Sequence, residues 1–204
     1  MYQKIRTLLN GLEARFDDIP EERKIILSKI ATYIQAKYAK NEPINLVYIC
    51  THNSRRSHFG QIAAAVAADF YSIVNVNVFS GGTEATAFHP NAIKALTDLG
   101  FNIHSEDETV KNPIWNVQFG VNTGTLCFSK VHDDAANPSK NFAAIMTCSD
   151  AEQNCPFILG TDLRIGMTYN DPKASDGTPQ QEETYKTRFL QIATEMLYAF
   201  SLIK

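Results

Sequence analysis

Leu46-Val47-Tyr48-Ile49-Cys50-Thr51-His52-Asn53-Ser54-Arg55-Arg56-Ser57 is the stretch on which the fold turns. Four apolar residues lead into a cysteine. A short polar loop follows, and an arginine and a serine open an alanine-rich stretch that runs to Phe70. The pattern predicts strand, loop and helix in that order. Such a loop can wrap its backbone N–H groups around an oxyanion, and the helix N-terminus adds positive potential. The spacing Cys-x5-Arg-Ser has a mechanical reason: the loop closes on itself, so both of its ends face the same anion. Arg56 can clamp two oxygens with its planar fork. Cys50 lies beneath the central atom as the nucleophile, and a thiolate is favoured by the same surroundings that favour an oxyanion. Ser57 can donate a hydrogen bond to that sulfur. Asn53 tolerates the left-handed backbone such a loop needs. Thr51, His52, Asn53, Ser54, Arg55, Arg56 and Ser57 are the expected oxyanion-binding residues, with His52 at the mouth. The competing reading is a buried, inert cysteine.

Size and charge bound what surrounds this loop. A chain of 204 residues can bury one core with room for an extension or insertion. Hydrophobic residues at 44% and charged residues at 20% suit a water-soluble globular protein. A net charge of −3 argues against a nucleic-acid binder, so any anion site must be local. No run approaches a membrane span, and the first ten residues lack the apolar core of a signal peptide. We therefore expect a cytoplasmic location and neither nucleic-acid nor membrane partners. Four cysteines in a reducing compartment read as catalytic, redox-active or buried rather than as disulfides.

Outward from the loop, strands and helices alternate. Strands are expected over 45–49, 75–79, 142–147 and 163–169. Helices are expected over 56–70, over 90–99 with Gly100 as the stop, and from Thr178-Pro179 through 203 with Gln181 completing a capping box. This alternation predicts an α/β fold: a three-layer, doubly wound sandwich around a central parallel sheet of about four strands. Ligands in such sheets bind beyond the carboxyl ends of the strands, where Cys50 sits. Residues 1–42 read as an N-terminal extension of two amphipathic helices, and 43–204 as the catalytic domain. Within it, 113–131 reads as an inserted β-hairpin around Gly120-Val121-Asn122-Thr123-Gly124. The hairpin is either packed on the core or a lid beside the site.

A second cysteine cluster lies at Thr147-Cys148-Ser149-Asp150-Ala151-Glu152-Gln153-Asn154-Cys155. Cys148 follows a strand expected to run parallel to that of Cys50, which puts both sulfurs on one edge of the sheet. The pair is either structural or a redox pair working with Cys50. Zinc would call for tighter pairs such as Cys-x2-Cys, which the sequence lacks, so no metal and no cofactor are expected. Asp171 of Tyr169-Asn170-Asp171-Pro172 follows the last strand, where a carboxyl group could protonate a leaving oxygen or simply form a turn. Cys127 reads as a buried structural thiol. His58, His89, His104 and His132 show no triad or metal spacing.

Taken together, CTHNSRRS, TCSDAEQNC and YNDP resemble the low-molecular-weight protein tyrosine phosphatase superfamily. The closest likeness is to the thioredoxin-coupled arsenate reductases that share the phosphatase fold. The resemblance spans roughly 45–110 and 142–204. It implies Cys50 as nucleophile, Arg56 as clamp and Asp171 as acid. It further implies that Cys148 attacks Cys50 in an arsenic adduct, and that Cys155 then takes over Cys148 to leave a Cys148–Cys155 disulfide for thioredoxin. Arsenate reduction is the first expectation. Phosphomonoester hydrolysis through a Cys50 phosphocysteine is the alternative, and a non-catalytic phosphate-binding or redox-sensing module is a further one. Two residues depart from the family pattern. Arg55 stands where some reductases carry another cysteine. Gln61 stands where some have a glutamate near a potassium ion.

Overall fold

The computed structural model describes residues 1–155 and 157–204. Two helices come first, α1 (Gln3–Glu13) and α2 (Glu21–Tyr38). Strand β1 (Ile44–Cys50), helix α3 (Arg56–Phe70), strand β2 (Val76–Gly82) and helix α4 (Pro90–Leu99) follow. Three short strands come next: β3 (Asn102–Ser105), β4 (Trp115–Gly120) and β5 (Thr123–Cys127). The chain closes with β6 (Phe142–Met146), α5 (Ser149–Asn154), β7 (Thr161–Gly166) and α6 (Gln181–Ser201).

The main sheet has four parallel strands in the order β2-β1-β6-β7. The α/β class and the four-stranded parallel sheet are therefore as the alternation predicts. Side-chain alternation along β1 divides the interior. Leu46 and Tyr48 enter the larger core with α1, α2, α3, α4 and α6, while Val47, Ile49 and Cys50 enter a smaller one with Cys148 and Ala151. The helices are shared unequally between the faces: among the described residues, Ala151 of α5 and Ile158 beyond it pack in the smaller core.

Strands β3, β4 and β5 form a separate antiparallel sheet. Val117, Phe119 and Cys127 of this sheet reach the larger core. Gln61 of α3 donates to Thr125 Oγ1 and to the Leu126 carbonyl, both at 2.8 Å. The hairpin thus packs on the core rather than standing free.

Several elements differ from expectation, three of them beside the site. Helix α6 begins at Gln181, not Thr178, because the Thr178 hydroxyl turns back to the Ser175 carbonyl at 2.7 Å. Gln181 Oε1 instead accepts from the Gly177 N–H at 2.8 Å. Strand β7 ends at Gly166, although Tyr169 N still donates to the Thr147 carbonyl at 3.1 Å. The third difference is α5, too short to show periodicity, which starts where the Cys148 sulfur accepts from the Ala151 N–H at 3.4 Å.

Candidate active site

Sheet order assembles the site. Because β1, β6 and β7 are neighbours, the chain leaves their carboxyl ends at Cys50, Cys148 and the segment toward Asp171 on one edge. Gly82 ends β2 on that same edge. A Cβ there would lie 2.6 Å from the Thr51 carbonyl oxygen and 2.8 Å from Asn53 N, so only glycine allows the loop to lie this close.

Cys50 is buried, with its sulfur 3.1 Å from Ser57 Oγ. Asn53 takes the left-handed backbone expected of it, at φ 44°. Its amide donates to Ser57 Oγ at 2.8 Å, and its Oδ1 accepts from the Lys130 N–H at 2.8 Å. Ser54 donates to the Ala87 carbonyl at 2.7 Å, and Ser129 to the His52 carbonyl at 3.1 Å. The Asn53 and Ser54 side chains thus brace the loop. His52 stands at the rim, paired with Glu84 at 2.9 Å and half-exposed.

The two arginines diverge. Arg56 donates through one terminal nitrogen to the Tyr169 carbonyl at 2.9 Å and through the other to Asp171 Oδ2 at 2.7 Å. Its Nε is buried without a partner. Arg55 turns away from the loop. Its Nε donates to the Tyr185 hydroxyl at 2.7 Å, and its guanidinium reaches Asp176 at 3.2 Å. The Arg55 side chain is therefore neither solvated nor free to draw anions in, and it leaves only its backbone to the loop. Asp171 Oδ1 caps the turn Pro172–Ser175 by accepting from Lys173 N at 3.0 Å.

All four cysteines are free thiols. Cys50 and Cys148 belong to the smaller core, and Cys155 packs against it. Thr51 Oγ1 lies 3.4 Å from the Cys148 sulfur, linking the phosphate loop to the second thiol. The Cys155 carbonyl accepts from Arg164 Nε at 2.9 Å. Cys127 is remote from these, and burial pushes its thiol up to about 12. Among the described residues no cluster of His, Cys, Asp and Glu could hold a metal ion, and no helix is long and apolar enough to cross a membrane.

Sequence reasoning passed over a layer behind the clamp: Arg23, Tyr169, Asp176, Tyr185 and Glu195. One signal was available. Glu195 lies on α6 among Ile192, Met196 and Leu197, and a carboxylate on an apolar face needs a partner.

A buried free cysteine ending a central strand, followed by a tight loop that opens a helix, sits on the carboxyl edge of a doubly wound parallel α/β sheet. No family model matches the chain. An arsenate reductase of Staphylococcus aureus (strain Newman) is 28% identical over 154 residues, which is 74% of this chain and 92% of that one. An arsenate reductase of Shouchella clausii is 26% identical over 136 residues, covering 67% and 79% respectively. Among solved structures, a low-molecular-weight phosphotyrosine phosphatase from Vibrio cholerae O395 superposes with a TM-score of 0.50 at 15% identity, covering 76% of this chain and 93% of that one. Primo-1 superposes with a TM-score of 0.52 at 13% identity, covering 76% and 94%. The chain therefore shares the fold of the low-molecular-weight protein tyrosine phosphatases and resembles arsenate reductases in sequence, the likeness its three motifs carry.

Proposed function

We propose that this protein reduces arsenate through a Cys50–Cys148–Cys155 thiol relay, within a catalytic unit of 43–204 that carries 1–42 as an extension. The observation that carries the reading is the gathering of three thiols at one sheet edge, beside an arginine with an unpartnered N–H. Hydrolysis needs one thiol; moving two electrons out of the site needs more.

Arsenate binds with an oxygen accepting from Arg56 Nε and others from the loop amides. The Cys50 thiolate attacks arsenic, and one oxygen leaves as water after protonation by Asp171. The Cys148 thiolate then attacks the Cys50 sulfur. A disulfide forms, the sulfur–arsenic electron pair passes to arsenic, and As(V) departs as arsenite. The Cys155 thiolate attacks Cys148, which releases the Cys50 thiolate and leaves a Cys148–Cys155 disulfide. A dithiol protein of the thioredoxin type, in the cytoplasm, returns it to two thiols. The names of the sequence relatives support this chemistry.

The second reading, phosphomonoester hydrolysis, shares the first step, and the Arg56–Asp171 arrangement serves it equally. The loops beside the site weigh against aryl esters: 83–87 and 171–175 carry no aromatic residue to flank a ring. The non-catalytic reading leaves Asp171 and the relay thiols without a purpose.

The deciding experiment is a pair of assays on one preparation, arsenate-dependent thioredoxin oxidation and aryl-phosphate hydrolysis. Cys50→Ser abolishes both. Cys148→Ser and Cys155→Ser each stop arsenate turnover and leave hydrolysis within about threefold of the parent, because water rather than a second thiol resolves phosphocysteine. After one arsenate turnover, Cys155→Ser traps a Cys50–Cys148 disulfide in peptide maps. Absence of that bridge, with no arsenate-dependent thiol loss in the parent, would pass the function to the hydrolytic reading.

A further inference from the structure

We propose that Arg23, on α2 of the N-terminal extension, is a positioning residue for the oxyanion clamp, acting on Arg56 through Glu195 and Tyr169. The proposal rests on the reading of Cys50 and Arg56 as an oxyanion site.

The contacts form one continuous path. Arg23 Nε donates to Glu195 Oε2 at 2.9 Å, and the Tyr169 hydroxyl donates to the same oxygen at 2.6 Å. The Arg23 guanidinium also lies over the Tyr169 ring, 4.5 Å from its centroid. Tyr169 in turn offers its carbonyl to Arg56 at 2.9 Å. The path is dry: the Arg23 and Glu195 side chains are 15% and 5% exposed. Burial, with the Glu195 charge beside it, holds the Tyr169 phenol far above its usual pKa, so it remains a donor. Gln191 completes the Glu195 carboxylate at 3.4 Å.

The geometry explains why this matters to the clamp. A guanidinium is planar, so its orientation follows from where its two terminal nitrogens are held. Asp171 holds one and the Tyr169 carbonyl the other, which fixes the guanidinium plane and leaves Nε buried and unpartnered. The Tyr169 backbone has one anchor in the sheet, the bond to Thr147. The ring has the other, covered on a face by Arg23 and tied through its hydroxyl to Glu195. Without Arg23, the buried Glu195 carboxylate loses its salt bridge and keeps only the more distant charge of Arg188, and the Tyr169 ring loses its cover. A shift of about 1 Å at an anion-binding group is enough to cost turnover.

The test uses the full chain and two readouts: calorimetric binding of inorganic phosphate, and arsenate turnover well below the unfolding temperature. Arg23→Leu is measured in the parent and in Arg56→Lys. We expect Arg23→Leu to weaken phosphate binding and lower turnover by roughly three- to tenfold, the range for residues in one network. In Arg56→Lys the same change leaves both within about twofold while lowering Tm equally, because no fork remains to be aimed. Arg23→Lys, which keeps the charge, recovers part of the loss. Parent-like binding and turnover in Arg23→Leu, or equal losses in both backgrounds, overturn the proposal. If Arg23→Leu does not fold, Tyr169→Phe carries the same comparison: it removes one hydroxyl and keeps the carbonyl, and parent-like affinity there overturns the proposal. A parent that neither binds phosphate nor turns over arsenate overturns the oxyanion reading itself. A parent that does both while the variants match it overturns only the role of Arg23.

Discussion

His58 shows how a single residue ties the site to pH. It follows Ser57 in α3 and is fully buried, with Nδ1 3.2 Å from Ser80 Oγ and Nε2 without a partner. Its ring lies 4.3 Å from that of Phe88. Burial, and then the Lys130 ammonium, pull its pKa down to about 3 from the ordinary 6.5. The unfolded chain therefore holds the proton between those values and the folded one does not. Stability is fully present above about pH 6.5 and drains away as pH falls toward about 3, at up to ~1.4 kcal/mol per unit. Urea unfolding at pH 7 and pH 4.5 measures this. We expect His58→Gln to reduce the stability difference between the two pH values by roughly 2 kcal/mol. An unchanged difference would place the acid sensitivity in carboxylates instead.

At the scale of elements, consecutive arginines hold the two ends of one loop. Arg56 holds Asp171 and Arg55 holds Asp176, with the turn Pro172–Ser175 between them. Tyr185 and Asn91 also donate to Asp176, at 2.7 and 3.1 Å. These bonds outweigh burial and bring the Asp176 carboxyl below the usual range. The other loop of the site, 51–55, is met along its backbone by the end of β2 at Gly82. We expect Gly82→Ala to lower turnover by about 10²-fold, the scale of a 1 Å misplacement at a catalytic site. Its side chain meets the backbone of Glu84, Thr51 and Asn53 together, so the 51–55 loop must shift and phosphate affinity should fall with turnover. A variant with parent kinetics would show that the loop can yield there. This neighbour of Cys50 was not legible in the sequence: Gly81-Gly82 reads as a strand end, and the contact exists only because β2 lies beside β1.

At the scale of the whole molecule, the N-terminal helices share the main core. Ile5, Leu9, Leu12, Ile19, Leu27, Ile30 and Ile34 are all buried against the rest of the chain. At about 1.5 to 3 kcal/mol for each such side chain, their burial contributes on the order of 10 kcal/mol. That matches the entire net stability of an ordinary domain, about 5 to 15 kcal/mol. We therefore expect a chain lacking residues 1–42 to lose cooperative unfolding and to expose apolar surface to a hydrophobic dye. A sharp thermal transition near that of the full chain would show that 43–204 folds alone.

Some of this protein was settled by local chemistry and some by distance in space. The strand–loop–helix at 46–70, the parallel α/β class, the left-handed Asn53 and the likeness to a superfamily follow from short-range pattern. Apolar periodicity, turn residues and motif spacing are all written within a few tens of residues. Contacts across the chain are not. Which partner Arg55 takes, where Arg56 finds its second anchor, and that Arg23 lies 172 residues from Glu195 yet touches it, are outcomes of packing. A buried charge in a sequence announces that it needs a partner, but only the tertiary structure decides which one, because that choice depends on which helix faces meet over the sheet.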